Sequence, residues 1–144
     1  MRPLLPPAAL VSVAAAAALV GCGGSDYPAQ ADNVCKMYNQ KINAVAKPTS
    51  AGQLSNYIGQ VTPLFRQAIS KLQAVKPPSD KKSAYDSYVS ILSQEASTLE
   101  QAGSAAQSNP QQAVALILKA QQTLSAQEKQ SAKAAGLKSC ANGT

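Results

Sequence analysis

Apolar residues recur at steps of three and four along most of the chain, which is the spacing of one face of an α-helix. This pattern predicts a first helix over 29–46, which ends before Pro48 because a residue that precedes proline avoids the helical region. A second helix is predicted over 52–75. Its apolar stripe stays in phase across Pro63, so one kinked helix is favoured, although Thr62 followed by proline also has the form of a new helix start.

Two further helices are predicted from their end signals. After a double proline, Ser79 is expected to be the N-cap of a third helix that continues to about Gln107. Asn109 followed by proline predicts the start of a fourth helix, and Gly136 followed by Leu137 predicts its end in a Schellman motif. Four helices with short connections predict an all-α fold, an up-down-up-down four-helix bundle. The abundance of alanine and glutamine agrees with this fold, since both residues lose little entropy in a helix.

The beginning of the chain has the layout of an export signal. A positive residue, Arg2, precedes an alanine-rich apolar run over 10–20, which is shorter than the roughly 20 residues that a membrane-spanning helix needs. The run ends in Leu-Val-Gly-Cys at 19–22, which resembles the lipobox of bacterial lipoproteins. An ordinary secretory leader with an incidental cysteine is the alternative.

The lipobox resemblance implies a division of the chain. Residues 1–21 would be removed as a signal peptide, Cys22 would carry the lipid, and residues 22–30 would form a tether to a helical bundle domain over 31–144. Two acyl chains hold a protein stably on a membrane, whereas one holds it only marginally. The expected location is therefore the extracytoplasmic face of the cell membrane, with membrane lipid as a partner through acylated Cys22.

Two cysteines remain besides Cys22, and the predicted topology brings them together. With an even number of antiparallel helices, the start of the first helix and the end of the fourth lie at the same end of the bundle, where Cys35 and Cys140 fall. A cysteine pair in an exported protein predicts a disulfide. Closing so long a loop stabilises a fold by about 4–5 kcal/mol in the chain-entropy model. The alternative is two free thiols or a redox pair, although no C-x-x-C spacing supports redox chemistry.

The same topology gathers lysines at the cysteine end of the bundle, beside the tether. Lysines next to a membrane each add about 1 kcal/mol of attraction to anionic lipid. We expect these side chains to face the membrane, and an ordinary solvated lysine surface is the alternative. The six lysines are Lys36, Lys76, Lys81, Lys82, Lys133 and Lys138.

The residue inventory excludes several kinds of function. The formal charge of +6 comes without an arginine cluster, which argues against nucleic-acid binding. The chain has no histidine, which excludes histidine-dependent triads and the usual zinc sites, and it has no Gly-rich phosphate loop. Glu95 and Glu100 lie on one predicted helix and do not face each other as a catalytic carboxylate pair would. No cofactor, no metal and no enzymatic activity are therefore expected.

Aromatic side chains are the remaining candidates for a ligand site. Tyr57, Phe65, Tyr85 and Tyr88 could line a slot between helices, although tyrosine on a bundle stripe more often belongs to the core with its hydroxyl at the rim. A pocket of roughly a few hundred Å³ between the second and third helices would favour a carrier of a small apolar ligand.

The leader motif, the alanine richness and a closing Gly-Leu-Lys-Ser-Cys at 136–140 together resemble the small helical lipoproteins of actinobacteria. The resemblance implies no shared activity. The expected function is a non-enzymatic binding or interaction module on the outside of the membrane, with an envelope protein as a candidate partner. A structural cell-envelope or stress protein and a small apolar-ligand carrier are the alternatives.

Overall fold

A computed structural model describes residues 26–142 of the chain. These residues form four α-helices without strands: α1 Tyr27–Asn43, α2 Ala51–Ala74, α3 Ser79–Ser108 and α4 Pro110–Ala134. The predicted all-α four-helix bundle is confirmed. The expected signal peptide and the lipidation site at Cys22 lie outside the described residues. None of the helices within 26–142 combines the length and the apolarity needed to cross a membrane.

The boundaries of α1 differ from the prediction at both ends. The helix begins at Tyr27, whose side chain is buried, so packing extends it toward the N-terminus and residues 27–30 belong to the bundle rather than to the tether. It ends at Asn43, where the amide N–H of Ala44 and that of Val45 close the last turn on carbonyls of the helix. The apolar spacing continues past this point, but the chain leaves the helix before Pro48.

Prolines shape α2 and the start of α3 in different ways. α2 runs unbroken through Pro63, as predicted. The carbonyl that Pro63 cannot bond is that of Gly59, and both residues are exposed to water. The prediction of Ser79 as an N-cap is wrong by one residue. Pro78 occupies the cap position, because its extended backbone at φ −65° and ψ 159° places the entry into the helix immediately after its ring.

Both ends of α4 follow their sequence signals. The Asn109 side-chain oxygen accepts a hydrogen bond from the backbone N–H of Gln112 at 3.1 Å, which caps the helix. At the other end, the N–H of Gly136 donates to the carbonyl of Lys133, and that of Leu137 donates to the carbonyl of Ala132. Gly136 has φ 82°, which a residue without a Cβ adopts at little cost. The predicted Schellman motif is confirmed.

Two buried clusters stabilise the bundle. The cysteine-end core contains residues of all four helices and of the segment after α4, among them Tyr27, Leu72, Tyr88, Ala132 and Leu137. The far-end core contains residues of α2, α3 and α4 only: Leu54, Ile58, Ala102, Ala106 and Ala113. α1 is absent there because its 17 residues span only about 26 Å, whereas the 30 residues of α3 span about 45 Å.

The segment after α4 links the end of the bundle to α1. Cys35 on α1 forms a disulfide with Cys140, with their Cα atoms 5.3 Å apart, and the predicted pair is confirmed. The carboxylate of Asp32 accepts hydrogen bonds from the backbone N–H groups of Lys138, Ser139 and Cys140 at 3.1, 2.8 and 3.2 Å. One side chain thus satisfies three successive donors in a segment that has no helix of its own.

α1 and α4 are joined at this end and do not approach each other closely elsewhere in the described chain. The hydroxyl of Tyr27 donates to the carbonyl of Ala135 at 2.7 Å, just beyond the last turn of α4. Burial, followed by the charge of Asp32, raises the pKa of Tyr27 to about 12, so its hydroxyl stays protonated and remains a donor at neutral pH. The bundle is therefore closed at the cysteine end and open along its length between α1 and α4.

Candidate ligand-binding groove

The gap between α1 and α4 contains an open cavity of about 470 Å³, called the groove below. Its walls come from α2, α3 and α4. Two further residues line it, Ile42 near the end of α1 and Asn142 after α4. The volume falls within the roughly 300–1,000 Å³ of small-molecule sites. The groove follows from the length of α1, which ends before it can cover the middle of the other three helices.

The walls of the groove are mainly apolar. α2 contributes Ile58, Val61 and Phe65 from one face, while α3 contributes Leu99 and α4 contributes Ile117. Another depression, of about 660 Å³ between α3 and α4, is larger but shallow, and serine, glutamine and aspartate side chains form most of its lining. A further depression, of about 480 Å³ beside the turn between α2 and α3, has a mixed lining that includes Lys76, Lys82 and Asp86. Of these three cavities in the described part of the chain, the groove is the most enclosed and has the most apolar walls, which is the usual character of a small-molecule site.

Two carboxylates face the groove from neighbouring helices, Glu95 on α3 and Glu128 on α4. Both side chains are half-buried. Burial, and then the negative charge of Glu128, raise the pKa of Glu95 from 4.5 to about 7. Burial also raises the pKa of Glu128, and the neighbouring Lys129 opposes that shift. The groove therefore holds two acidic groups whose charged forms are poorly solvated.

Two hydroxyl groups of the groove, those of Thr98 and Ser125, direct their hydrogen atoms into their own helices. Thr98 Oγ1 donates to the carbonyl of Gln94 at 3.0 Å, and Ser125 Oγ donates to the carbonyl of Gln121 at 2.6 Å. Their lone pairs remain available as acceptors. Each carboxylate adds about four acceptor positions, and the donors in the lining are Lys129, the hydroxyl of Tyr57 and the amides of Gln121 and Asn142, so acceptor positions outnumber donor hydrogens.

The four aromatic residues considered as ligand contacts divide into two pairs. Tyr57 and Phe65 line the groove. Tyr85 and Tyr88 belong to the cysteine-end core and lie outside the groove lining. The Tyr85 hydroxyl donates to the carbonyl of Leu72 at 2.7 Å, and the Tyr88 hydroxyl lies 3.4 Å from Cys35 Sγ, where it is the donor because a disulfide sulfur carries no hydrogen.

The carboxylate pair was not anticipated from the sequence. From the sequence, Glu95 was compared only with Glu100, and the two were not expected to face each other. In the structure Glu100 is exposed on α3 and forms an ion pair with Arg66 at 2.8 Å. A signal for Glu95 was present: it lies three residues after Leu92 and four before Leu99, on the apolar stripe of its helix. An acid at such a position faces inward. Its proximity to Glu128 depends on the rotation of α3 against α4, which the stripe alone does not give.

The six lysines expected near the membrane lie at the cysteine end or beside it. Lys81 Nζ donates to the carbonyl of Ala134 at 3.3 Å, and Lys82 forms an ion pair with Asp86. Lys82 is nevertheless exposed, as are the other four side chains: Lys36, Lys76, Lys133 and Lys138.

Comparison with protein-family models, with curated proteins and with solved structures finds no match to this chain. Residues 26–142 contain no group of three or more cysteine, aspartate or glutamate side chains placed to hold a metal ion.

Proposed function

We propose that this protein is a lipid-anchored binding protein of the extracytoplasmic membrane face that holds a small, largely apolar ligand in the groove and performs no chemistry on it. The observation that carries the proposal is the cavity of about 470 Å³ with walls of Ile58, Val61, Phe65, Leu99 and Ile117. Burial of apolar ligand surface against such walls contributes roughly 25 cal/mol per Å² before the costs of association.

The proposed anchor rests on the leader motif ending at Cys22 and on the geometry of the bundle. α1 starts at the cysteine end, so a tether from Cys22 would hold that end toward the lipid. Exposed lysines lie there too, which agrees with an anionic membrane surface. In this orientation the groove lies along the side of the bundle, away from the membrane, where a ligand can enter from the extracytoplasmic space.

Substitution of the lipidation residue tests the anchor. Cys22→Ala removes the proposed attachment atom, so we expect the protein to move from the membrane fraction to the soluble extracytoplasmic fraction. The measurement is fractionation with metabolic labelling by a fatty-acid analogue. Ser25→Ala, three residues further on, is the matched control and should stay labelled and membrane-bound. Continued lipid labelling of Cys22→Ala would refute the proposed attachment.

Two adjacent residues of α4 provide a test of the groove. Ile117 lines it, whereas Leu118 is 50% exposed and lies outside its lining. The ligand probe is a neutral apolar dye whose fluorescence rises on leaving water. Full-length chains carrying Cys22→Ala avoid competition from acyl chains, and any binding of dye by the leader is equal in both variants.

Ile117→Gln should weaken dye binding about tenfold, since loss of about 1.4 kcal/mol of apolar contact changes an affinity by that factor. Leu118→Gln should leave binding unchanged. The measured quantity is the dissociation constant from titration of each variant. Equal constants for the two variants, or no saturable binding by the parent chain, would refute binding in the groove.

A further inference from the structure

We propose that the ligand of the groove is a single-tailed amphiphilic amine, whose protonated nitrogen lies between Glu95 and Glu128 while its apolar part lies against α2. This inference rests on the proposed function and specifies its ligand class. Three features of the groove support it: an unbalanced charge, an excess of acceptor positions over donor hydrogens, and a limited volume.

The charge of the groove is unbalanced. Its lining contains two acids, Glu95 and Glu128, and one base, Lys129. Within residues 26–142, ion pairs join Arg66 to Glu100 and Lys82 to Asp86, and neither groove carboxylate takes part in an ion pair or a hydrogen bond. An anion that loses water without gaining a partner is destabilised, so a bound cation would stabilise both carboxylates.

The hydrogen-bonding groups also favour a ligand that donates. An ammonium group has up to three N–H donors and no acceptor. The groove offers carboxylate oxygens and the lone pairs of Thr98 and Ser125, whose own hydrogens are already donated within their helices. Charge-assisted bonds of an ammonium to carboxylates are about twice as strong as bonds between neutral groups.

Other ligand classes fit these residues less well. A fatty acid would bring a third negative charge beside Glu95 and Glu128, with Lys129 alone to offset it, and like charges at short range are destabilising. A neutral alcohol would cover the carboxylates without neutralising them. The cavity of about 470 Å³ suits a drug-sized molecule, which favours one short tail over a two-chain lipid.

The test compares three probes that share one alkyl chain and differ only in the head group: n-decylamine, n-decanol and decanoic acid. Each displaces the neutral dye from the full-length Cys22→Ala chain at pH 7.5, below the concentration at which it forms micelles. We expect the amine to displace the dye at a concentration at least tenfold lower than the alcohol, and the acid to be the weakest. Displacement at equal concentrations by amine and alcohol, or a stronger effect of the acid, overturns the proposal.

Isosteric variants attribute the preference to the carboxylates. The double substitution Glu95→Gln and Glu128→Gln should remove the advantage of the amine and leave displacement by the alcohol within a factor of about three of the parent. Glu100→Gln, on the same helix but outside the groove lining, is the control and should keep the full preference. Survival of the amine preference in the double variant overturns the assignment.

The same experiment separates failure of this inference from failure of the proposed function. If none of the three probes displaces the dye, or if Ile117→Gln and Leu118→Gln bind the dye equally, the groove is not a ligand site and both proposals fall. If the alcohol and the amine compete equally and only Ile117→Gln weakens binding, the groove binds apolar molecules and the amine inference alone is overturned.

Discussion

Replacing Glu95 with glutamine should stabilise the protein at neutral and alkaline pH while leaving its stability in acid unchanged. Glutamine has the shape of glutamic acid but cannot ionise. The charged group that raises the pKa of Glu95 is Glu128 on α4, where Lys129 also lines the groove. α2 supplies Tyr57 as its titratable lining group, and the lining residue of α1 is the apolar Ile42. Burial, not a specific partner, is the first cause of the raised pKa.

The sign and size of this change in stability follow from the pKa of Glu95, which rises from 4.5 to about 7 on folding. Because the folded protein holds the proton more tightly, this group contributes most stability below pH 4.5, and the contribution is lost as the pH rises to about 7. At 1.36 kcal/mol per unit the full shift corresponds to about 3 kcal/mol. Solvent screening at a half-buried position reduces this to about 1–2 kcal/mol.

The assay is urea unfolding of the parent chain and the variant, followed by circular dichroism at several pH values between 4 and 8. At pH 8, Glu95→Gln should be more stable by about 1–2 kcal/mol, or about 4–8 °C in melting temperature for a domain of this size. At pH 4 the two proteins should be equal. The difference should develop between these values, along the titration of the carboxyl group.

Glu100→Gln is a matched control with the opposite sign. Glu100 lies on the same helix but is exposed, and its hydrogen bond to Arg66 lowers its pKa. Its replacement should therefore leave stability unchanged or reduce it slightly at neutral pH. The prediction is refuted if Glu95→Gln is neutral or destabilising at pH 8, or equally stabilising at pH 4 and pH 8. Either result would show that desolvation of the Glu95 carboxylate does not destabilise the folded protein.

Two further predictions concern the segment that closes the cysteine end. Replacing Cys35 and Cys140 with serine should destabilise the fold by up to about 4–5 kcal/mol, because the unfolded chain gains conformational entropy without the cross-link. In calorimetry the melting temperature should fall by about 10–20 °C. An unchanged melting temperature would contradict a stabilising disulfide. Asp32→Ala should destabilise the fold by about 1–3 kcal/mol in urea unfolding, because three backbone N–H groups lose their acceptor. Asp26→Ala is the control and should have little effect, because the Asp26 side chain makes no capping hydrogen bond. Equal losses for the two aspartate variants would show that the Asp32 contacts contribute nothing specific.

Local signals in the sequence were sufficient for the helices and their order. Proline and asparagine act within one or two residues, so Asn109 marked the start of α4 correctly and Gly136 marked its end. The start of α1 was placed two residues too late. α1 starts at Tyr27, whose ring is buried against Tyr85 with the ring centroids 5.4 Å apart, a contact that no local pattern contains. Pro28 in the first turn was a local start signal that the prediction did not use.

The disulfide could be predicted from the sequence, whereas the groove could not. Pairing of Cys35 with Cys140 needs only the parity of the helices, since an even number brings the two chain ends together. The groove depends on the difference in length between α1 and its neighbours and on which face of α3 meets α4. Small shifts in helix rotation move a side chain such as Glu95 between core and surface, and an apolar stripe does not specify rotation that finely.

The arrangement of the two cores explains how a bundle with one short helix remains stable around an open cavity. At the far end, α3 and α4 meet through Ala102, Ala106 and Ala113, whose small side chains let the helix backbones approach closely, so three helices bury that core without α1. At the cysteine end, the disulfide and the Asp32 contacts attach α1 firmly. Between these two closed ends the helices are held apart by their own packing, so the groove exists without a ligand. A site formed in this way loses little freedom when it binds, because the cost of ordering its walls is met during folding.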